Sequence, residues 1–113
     1  MASNDAKILS GKTALVTGGS RGIGRGIAEA YARQGAQVFI CGRDEKKLRA
    51  AIGEMRKSGG EIAGLAGDVG NQEDVERIVS AAVERYGPIH ILVNNASILG
   101  PREVIANYPP AAW

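Results

Sequence analysis

The sequence predicts an α/β fold in which a doubly wound parallel sheet is built in the order β-α-β-α-β-α-β. Four short apolar segments lack alternation with polar residues, as strands buried on both faces do. The segments between them repeat apolar residues at helical spacing. A glycine-rich loop, residues 18–24, joins the first strand to the first helix. Parallel strands joined by right-handed crossovers favour the strand order 3-2-1-4.

The overall composition indicates a single domain. Of the 113 residues, 44% are hydrophobic and 23% are charged, which is typical of a globular, soluble protein. A net charge of +2 and scattered basic residues argue against a nucleic-acid partner. No stretch approaches the roughly 20 apolar residues that span a bilayer, and no signal sequence opens the chain, so we expect a cytoplasmic protein without a membrane partner. The single cysteine, Cys41, cannot form an intrachain disulfide.

The strands are predicted at residues 13–17, 37–41, 62–66 and 89–93. The first helix is predicted over residues 22–34, where Gly35 ends it. Its apolar stripe is expected to consist of Ile23, Ile27, Ala30 and Tyr31. A loose polar leader, residues 1–11, and an irregular tail, residues 98–113, flank these elements.

Two further helices are predicted, with Asp44 and Asn71 as their N-caps. The second helix is expected to bury Leu48, Ala51, Ile52 and Met55. The third is expected to bury Val75, Ile78, Val79, Ala82, Val83 and Tyr86. The charged run over residues 45–57 is typical of a solvated helix face, with a partner-binding surface as the alternative.

The loop between the first strand and the first helix contains three glycines whose spacing favours a phosphate-binding loop. Gly18 would let the chain turn out of the strand, Gly22 would let the backbone approach a phosphate, and Gly24 would let the helix pack close to the sheet. Unpaired N–H groups at the helix start would then face the anion. The alternative is an ordinary glycine-rich turn, since the spacing Gly-x-x-x-Gly-x-Gly differs from Gly-x-Gly-x-x-Gly.

Polar or glycine-rich sequences follow all four predicted strands. They are residues 18–24, 42–43, 68–69 and 94–97. Because the carboxyl ends of parallel strands meet at one edge of the sheet, these sequences are expected to surround one crevice. Strand-to-helix loops are polar in any case, but their convergence favours a nucleotide site.

Three of these motifs resemble one family in order and spacing. They are Thr-Gly-Gly-Ser-Arg-Gly-Ile-Gly at residues 17–24, Asp-Val at 68–69, and Ile-Leu-Val-Asn-Asn-Ala at 91–96. The chain resembles the N-terminal half of the short-chain dehydrogenase/reductase family, in the group that includes 3-oxoacyl-carrier-protein reductases. The resemblance implies a partial Rossmann-like sheet and covers nearly the whole chain. It departs at Ser97, where the family usually has glycine.

The resemblance also implies roles for individual residues. The pyrophosphate and adenosine ribose would be bound by the glycine-rich loop through Gly18, Ser20, Arg21, Gly22, Ile23 and Gly24. Asp68 would accept a hydrogen bond from the adenine amino group, and Val69 would pack on the ring. Asn95 and Ala96 would contact the ribose on the nicotinamide side, whereas Asn94 would tie neighbouring strands together.

The residues at the end of the second predicted strand indicate which dinucleotide is bound. A carboxylate there would hydrogen-bond a free 2′-hydroxyl and repel a phosphate, but this chain has Gly42 followed by Arg43. Arg43 and Arg21 could clamp a 2′-phosphate through charge-assisted contacts. We therefore predict NADP(H) in preference to NAD(H); the alternative is that both arginines lie on a solvated rim.

The catalytic residues of the family are missing from this sequence. The family's chemistry uses a serine together with a tyrosine and a lysine four residues apart, but none of Tyr31, Tyr86 and Tyr108 has that lysine. His90 is interpreted as a core or edge histidine, and Cys41 as a small buried apolar residue. No metal-ligand cluster is evident. We expect the chain alone to be inactive and to be a fragment, an ordered remnant or a truncated product of a longer reductase.

These observations lead to one principal hypothesis with alternatives. The chain is interpreted as the cofactor-binding half of an NADP(H)-dependent oxidoreductase that, at full length, reduces a small carbonyl substrate or oxidises an alcohol. A non-catalytic nucleotide-binding module and an assembly module are the alternatives. The first two helices should cover one face of the sheet and the third the other. The fourth strand should be an open edge, so a homo-oligomer is expected.

Overall fold

The computed structural model describes residues 7–20 and 22–95. It contains the strands β1 (Thr13–Thr17), β2 (Gln37–Gly42), β3 (Glu61–Ala66) and β4 (Ile91–Asn94), and the helices α1 (Gly22–Arg33), α2 (Glu45–Arg56) and α3 (Gln72–Tyr86). The strands form one parallel sheet in the order β3-β2-β1-β4, which confirms the predicted fold class and topology.

The strand β1 lies in the middle of the sheet, and all five of its residues are buried. Its last residue, Thr17, is in register with Cys41 of β2 and Asn94 of β4. The carboxyl ends of these three strands are therefore level with one another. That alignment places the loops that follow them at one edge of the sheet.

The two faces of the sheet are covered unequally, as the sequence predicts. Alternation along β1 sends Leu15 to one face and Val16 to the other. Val16 belongs to a core with residues of α1 and α2, whereas Leu15 belongs to a core with residues of α3. All of the predicted inward residues of α2 and α3 are buried or partly buried in these cores.

The predicted apolar stripe of α1 is only partly correct. Tyr31 is partly buried against the core, but the fully buried residues of the helix are Gly24, Ala28 and Ala32 rather than the predicted ones. Glycine and alanine at this spacing let the helix axis lie close to the sheet, so the larger residues are displaced to its flanks. Ile23 is 75% exposed at the start of the helix.

The fourth strand begins two residues later than predicted. Ile89 is buried in the core beside α3, ahead of the strand. His90 also precedes the strand and is exposed. Its main-chain N–H donates to the Thr13 carbonyl at 2.9 Å, and its Nδ1 accepts from the Thr13 N–H at 3.0 Å. Because the His90 side chain accepts from the Thr13 main-chain N–H, regular main-chain pairing with β1 begins at Ile91.

The predicted helix caps are confirmed. An Asp44 carboxylate oxygen accepts from the Lys47 N–H at 3.0 Å, and the Asn71 side chain accepts from the Asp74 N–H at 3.1 Å. The helix α1 ends at Arg33, one residue earlier than predicted, and Gly35 follows with φ of +93°. These caps fix where the helices start relative to the strand ends.

Part of the predicted leader contacts the sheet domain. The Leu9 N–H donates to the Gln34 carbonyl at 2.8 Å, and the partly buried Leu9 side chain packs against the core of α1 and α2. The predicted tail, residues 98–113, lies outside the described residues. Within residues 7–20 and 22–95, no helix has the length and apolar character that crossing a membrane requires.

Candidate functional site

A cleft of about 570 Å³ opens at the carboxyl ends of the strands. Its walls come from the segments that follow all four strands, so the predicted convergence of those segments is observed. The cleft lies next to β1 and β4, where the strand order changes direction. Ligands of open α/β sheets bind at this kind of position.

The glycine-rich loop forms the floor of the cleft. Gly18 has φ of +66° and Gly22 has φ of +60°, a backbone conformation that side chains disfavour. The N–H groups of Gly18 and Gly19 donate to the Cys41 carbonyl at 3.0 and 3.3 Å, which holds the loop against the end of β2. The loop therefore presents main chain to the cleft, with Ser20 and Ile23 also on its wall.

Gly24 lies behind this loop at the closest approach of α1 to the sheet. A Cβ atom at this position would clash with the Gly18 carbonyl oxygen and lie 2.6 Å from Asn95 Nδ2. Only a residue without a side chain fits between the loop and the end of β4. Gly24 thus shapes the site from behind rather than lining it.

The end of β2 brings Gly42 next to Ser20. A Cβ atom built on Gly42 would lie 3.2 Å from Ser20 Oγ. Arg43 follows directly, is exposed and lines the cleft. No described residue forms an ion pair with Arg43, so its charge is available to a ligand.

The end of β3 contributes Asp68 and Val69. The Asp68 carboxylate accepts from the Gly70 N–H at 2.9 Å, while the Asp68 N–H donates to an Asp74 oxygen at 2.9 Å. The hydrogen bond from Arg77, followed by that from the Asp68 main chain, lowers the pKa of Asp74. Val69 is only 6% exposed and belongs to the core beside α3, so a small part of its side chain reaches the cleft.

The end of β4 is held by the buried hydroxyl of Thr17. This hydroxyl lies 3.1 Å from Asn94 Oδ1 and accepts from the Asn95 N–H at 2.8 Å. Asn94 therefore ties β4 to β1, as the sequence predicts. Asn95 lines the cleft, and its side-chain amide lies 3.5 Å from the Gly18 carbonyl oxygen.

The structure brings together most of the residues selected from the sequence. Those that line the cleft are Gly18, Ser20, Gly22, Ile23, Arg43, Asp68, Val69 and Asn95. Gly24 supports it from behind. Arg21 and Ala96 lie outside the described residues.

Sequence reasoning missed two residues of this region. Thr17 is predicted as the last residue of the first strand and the first of the glycine-rich motif, without a side-chain role, although a hydroxyl at the end of an apolar strand is a signal for a specific hydrogen bond. Lys47 was included in the solvated face of α2, but it lines the cleft. Its position three residues after the Asp44 cap could have indicated this location, since the first helical turn lies beside the strand end.

Cys41 also borders the cleft, but it is not a reactive group. The residue is 1% exposed, and burial raises the pKa of its thiol to about 11. The thiol therefore stays protonated near neutral pH. This behaviour confirms the interpretation of Cys41 as a small buried apolar residue.

The sheet order and the glycine-lined cleft at its carboxyl edge define a Rossmann-like α/β protein. A model of the short chain dehydrogenase family matches residues 12–113. The chain therefore belongs to the short-chain dehydrogenase family, as the sequence motifs predict. It is a family of oxidoreductases, and its fold binds a nicotinamide dinucleotide.

Individual relatives of similar sequence differ in the activities they are named for. The chain is 44% identical over 96 residues to a Streptomyces coelicolor protein described as a ketoacyl reductase. The aligned residues cover 85% of this chain and 35% of that protein. It is 46% identical over 90 residues to a sorbitol dehydrogenase of Cereibacter sphaeroides, covering 80% of this chain and 34% of that one.

A solved structure is similar to the same extent. A variant of the actinorhodin polyketide ketoreductase, crystallised with NADPH, is 45% identical, with a TM-score of 0.75 over 79% of this chain and 34% of that one. The chain thus spans about a third of the length of these relatives.

Proposed function

We propose that this chain is the cofactor-binding half of an NADP(H)-dependent oxidoreductase that, at full length, reduces a small carbonyl substrate or oxidises an alcohol. The observation that carries the proposal is the corner of the cleft where the bare glycine loop meets Gly42 and Arg43. A main-chain floor suits a pyrophosphate, and Arg43, preceded by glycine rather than a carboxylate at position 42, suits an added phosphate. The Asp44 carboxylate also lines the cleft, where it accepts from the Lys47 main-chain N–H.

The shape of the cleft fits a dinucleotide. Gly18 and Gly22 hold positive φ angles, and Gly24 leaves no room for a Cβ atom, so the main chain can approach a phosphate closely. The start of α1 lies at this loop, where helical N–H groups attract an anion. The cleft volume of about 570 Å³ lies within the ordinary range for cofactor sites.

Charges around the end of β2 support NADP(H) over NAD(H). Gly42 stands where a carboxylate would accept from a free 2′-hydroxyl. Arg43 is exposed and unpaired among the described residues. Arg21, which belongs to the glycine-rich loop in the sequence, would add a second guanidinium. The similar ketoreductase crystallised with NADPH is consistent with this choice.

The other residues of the cleft would orient the two ends of the cofactor. One Asp68 oxygen accepts from the Gly70 N–H, so the other is available to the adenine amino group. Val69 would pack on the adenine ring. Asn95 and Ala96 would contact the ribose on the nicotinamide side. When bound, the nicotinamide supplies the hydride that is exchanged with the substrate carbon.

No described residue at the cleft can exchange a proton with a substrate in the way the family's tyrosine does. The Tyr86 hydroxyl instead donates to Glu61 at 2.8 Å, at the opposite end of β3. Its pKa is raised mainly by burial. We therefore expect the 113-residue chain to bind cofactor without turnover. Oxidation of NADPH by the purified chain with a panel of ketones would contradict this expectation.

Calorimetry with NADPH and NADH tests the cofactor assignment. The chain should bind NADPH more tightly, and Arg43→Asp should weaken NADPH binding by about 2 kcal/mol, roughly thirtyfold, since it replaces an attraction with a repulsion. Lys46→Asp is the matched control, because Lys46 is an exposed cation three residues after Arg43, in the first turn of α2, but does not line the cleft. An unchanged preference in Arg43→Asp would remove Arg43 from the proposal.

A second candidate function is assembly. Within the described part of the chain, β4 has a neighbour on one side only, and it is partly exposed. An open edge strand can pair with a strand of another chain. This candidate requires copies of the chain to associate in solution.

A further inference from the structure

Lys47 lies at the same corner of the cleft as Arg43. Arg43 directly follows Gly42, and Lys47 directly precedes Leu48, whose Cδ1 atom lies 3.9 Å from a Cβ built on Gly42. Lys47 is exposed and lines the cleft. The neighbouring Lys46 is also exposed but is absent from the cleft wall. The two lysines therefore differ in position rather than in chemistry.

The nearby carboxylates do not neutralise the Lys47 side chain. Glu45 forms an ion pair with Arg49 at 2.8 Å, four residues further along α2. Asp44 accepts from the main-chain N–H of Lys47, which fixes the backbone of that residue but leaves its ammonium group free. Among the described residues, neither Lys47 nor Arg43 has an ion-pair partner. Arg43 and Lys47 thus both line this part of the cleft, together with Asp44, whose carboxylate is engaged by a main-chain N–H.

We propose that Lys47 is a specificity-determining residue of the adenosine subsite, where its ammonium group contacts the 2′-phosphate of NADP(H) beside the Arg43 guanidinium. The inference rests on the proposed function and adds a residue to it. A guanidinium offers a fixed fork of donors, whereas an ammonium on a flexible stem acts as a mobile point charge. The capped first turn of α2 would hold the base of that stem in place. Asp44 acts as a positioning residue for Lys47.

The test uses two probes that differ only in the group at issue, adenosine 2′,5′-bisphosphate and 5′-AMP. Calorimetry of the 113-residue chain should show that Lys47→Ala weakens binding of the bisphosphate about tenfold, because one charge-assisted contact is lost. Binding of 5′-AMP should be unchanged. Lys47→Arg should restore bisphosphate affinity, and Lys46→Ala should leave the affinity for both probes unchanged.

The possible outcomes separate this inference from the function on which it rests. If the unmodified chain prefers the bisphosphate and Lys47→Ala leaves the size of that preference unchanged, Lys47 has no role and the NADP(H) assignment stands. If Lys46→Ala and Lys47→Ala weaken bisphosphate binding equally, a diffuse field replaces the specific contact and the inference is overturned. If the unmodified chain binds neither probe, the proposed function and the inference both fail. Circular dichroism melting curves establish that each variant is folded.

Discussion

At the scale of single residues, the glycines of the first loop were predictable and the polar contacts were not. Gly18, Gly22 and Gly24 stand at positions where backbone conformation or close approach excludes a side chain. Such a requirement is visible in a short stretch of sequence as glycine itself. The cleft position of Lys47 depends instead on where α2 begins relative to the end of β2. That relation depends on tertiary structure, so the sequence alone does not distinguish Lys47 from the other charged residues of a solvated helix face.

Gly24 and Gly26 provide a matched pair within α1. An added Cβ at Gly24 would clash with the Gly18 carbonyl oxygen, whereas one at Gly26 meets nothing within 4 Å. Gly24→Ala should destabilise the fold by about 1–3 kcal/mol through steric overlap and should weaken NADPH binding. Gly26→Ala should stabilise it by about 0.5–1 kcal/mol through helix propensity. Urea unfolding of both variants measures the difference. Equal stabilities would contradict the close approach of α1 to the loop.

At the scale of elements, strand positions and caps followed from the sequence, but the buried face of α1 did not. The apolar stripe criterion selects large side chains, and it correctly predicted the inward faces of α2 and α3. In α1 the contact with the sheet is made by Gly24, Ala28 and Ala32, which hydrophobicity alone ranks below Ile23. Close packing thus outweighed side-chain size there. The start of β4 is displaced because the His90 side chain accepts from the Thr13 main-chain N–H, a contact that no apolar pattern records.

The junction of β1 with β4 depends on the Thr17 hydroxyl, which accepts from Asn95 at 2.8 Å and lies 3.1 Å from Asn94 Oδ1. Thr17→Val keeps the side-chain shape and removes these contacts, so it should destabilise the fold by about 1–3 kcal/mol. Thr13→Val is the control, since within residues 7–20 and 22–95 the Thr13 hydroxyl makes only bonds of 3.4 Å. Thr17→Val should also accelerate amide hydrogen exchange at Asn95. Chemical denaturation gives the stabilities, and a smaller loss for Thr17→Val than for Thr13→Val would contradict this account.

At the scale of the whole molecule, the sheet is asymmetric in its described part. Two helices cover one face and one covers the other, and β4 ends the sheet on one side. The topology was predictable because parallel crossovers leave few arrangements. The consequence of the open edge depends on what binds there, and that requires a measurement on the molecule in solution.

The edge of β4 can be tested by the direction of its main-chain donors. The His90 N–H points to Thr13, so by alternation the Leu92 N–H also points to β1 and the Ile91 N–H points outward. If copies of the chain pair through this edge, light scattering over a dilution series should show a concentration-dependent oligomer. Ile91→Pro removes an outward donor at the first strand position, where proline is tolerated, and should yield a folded monomer. Leu92→Pro removes a donor to β1 and should unfold the sheet instead. A monomeric unmodified chain, or an oligomer that survives Ile91→Pro, would exclude pairing through β4.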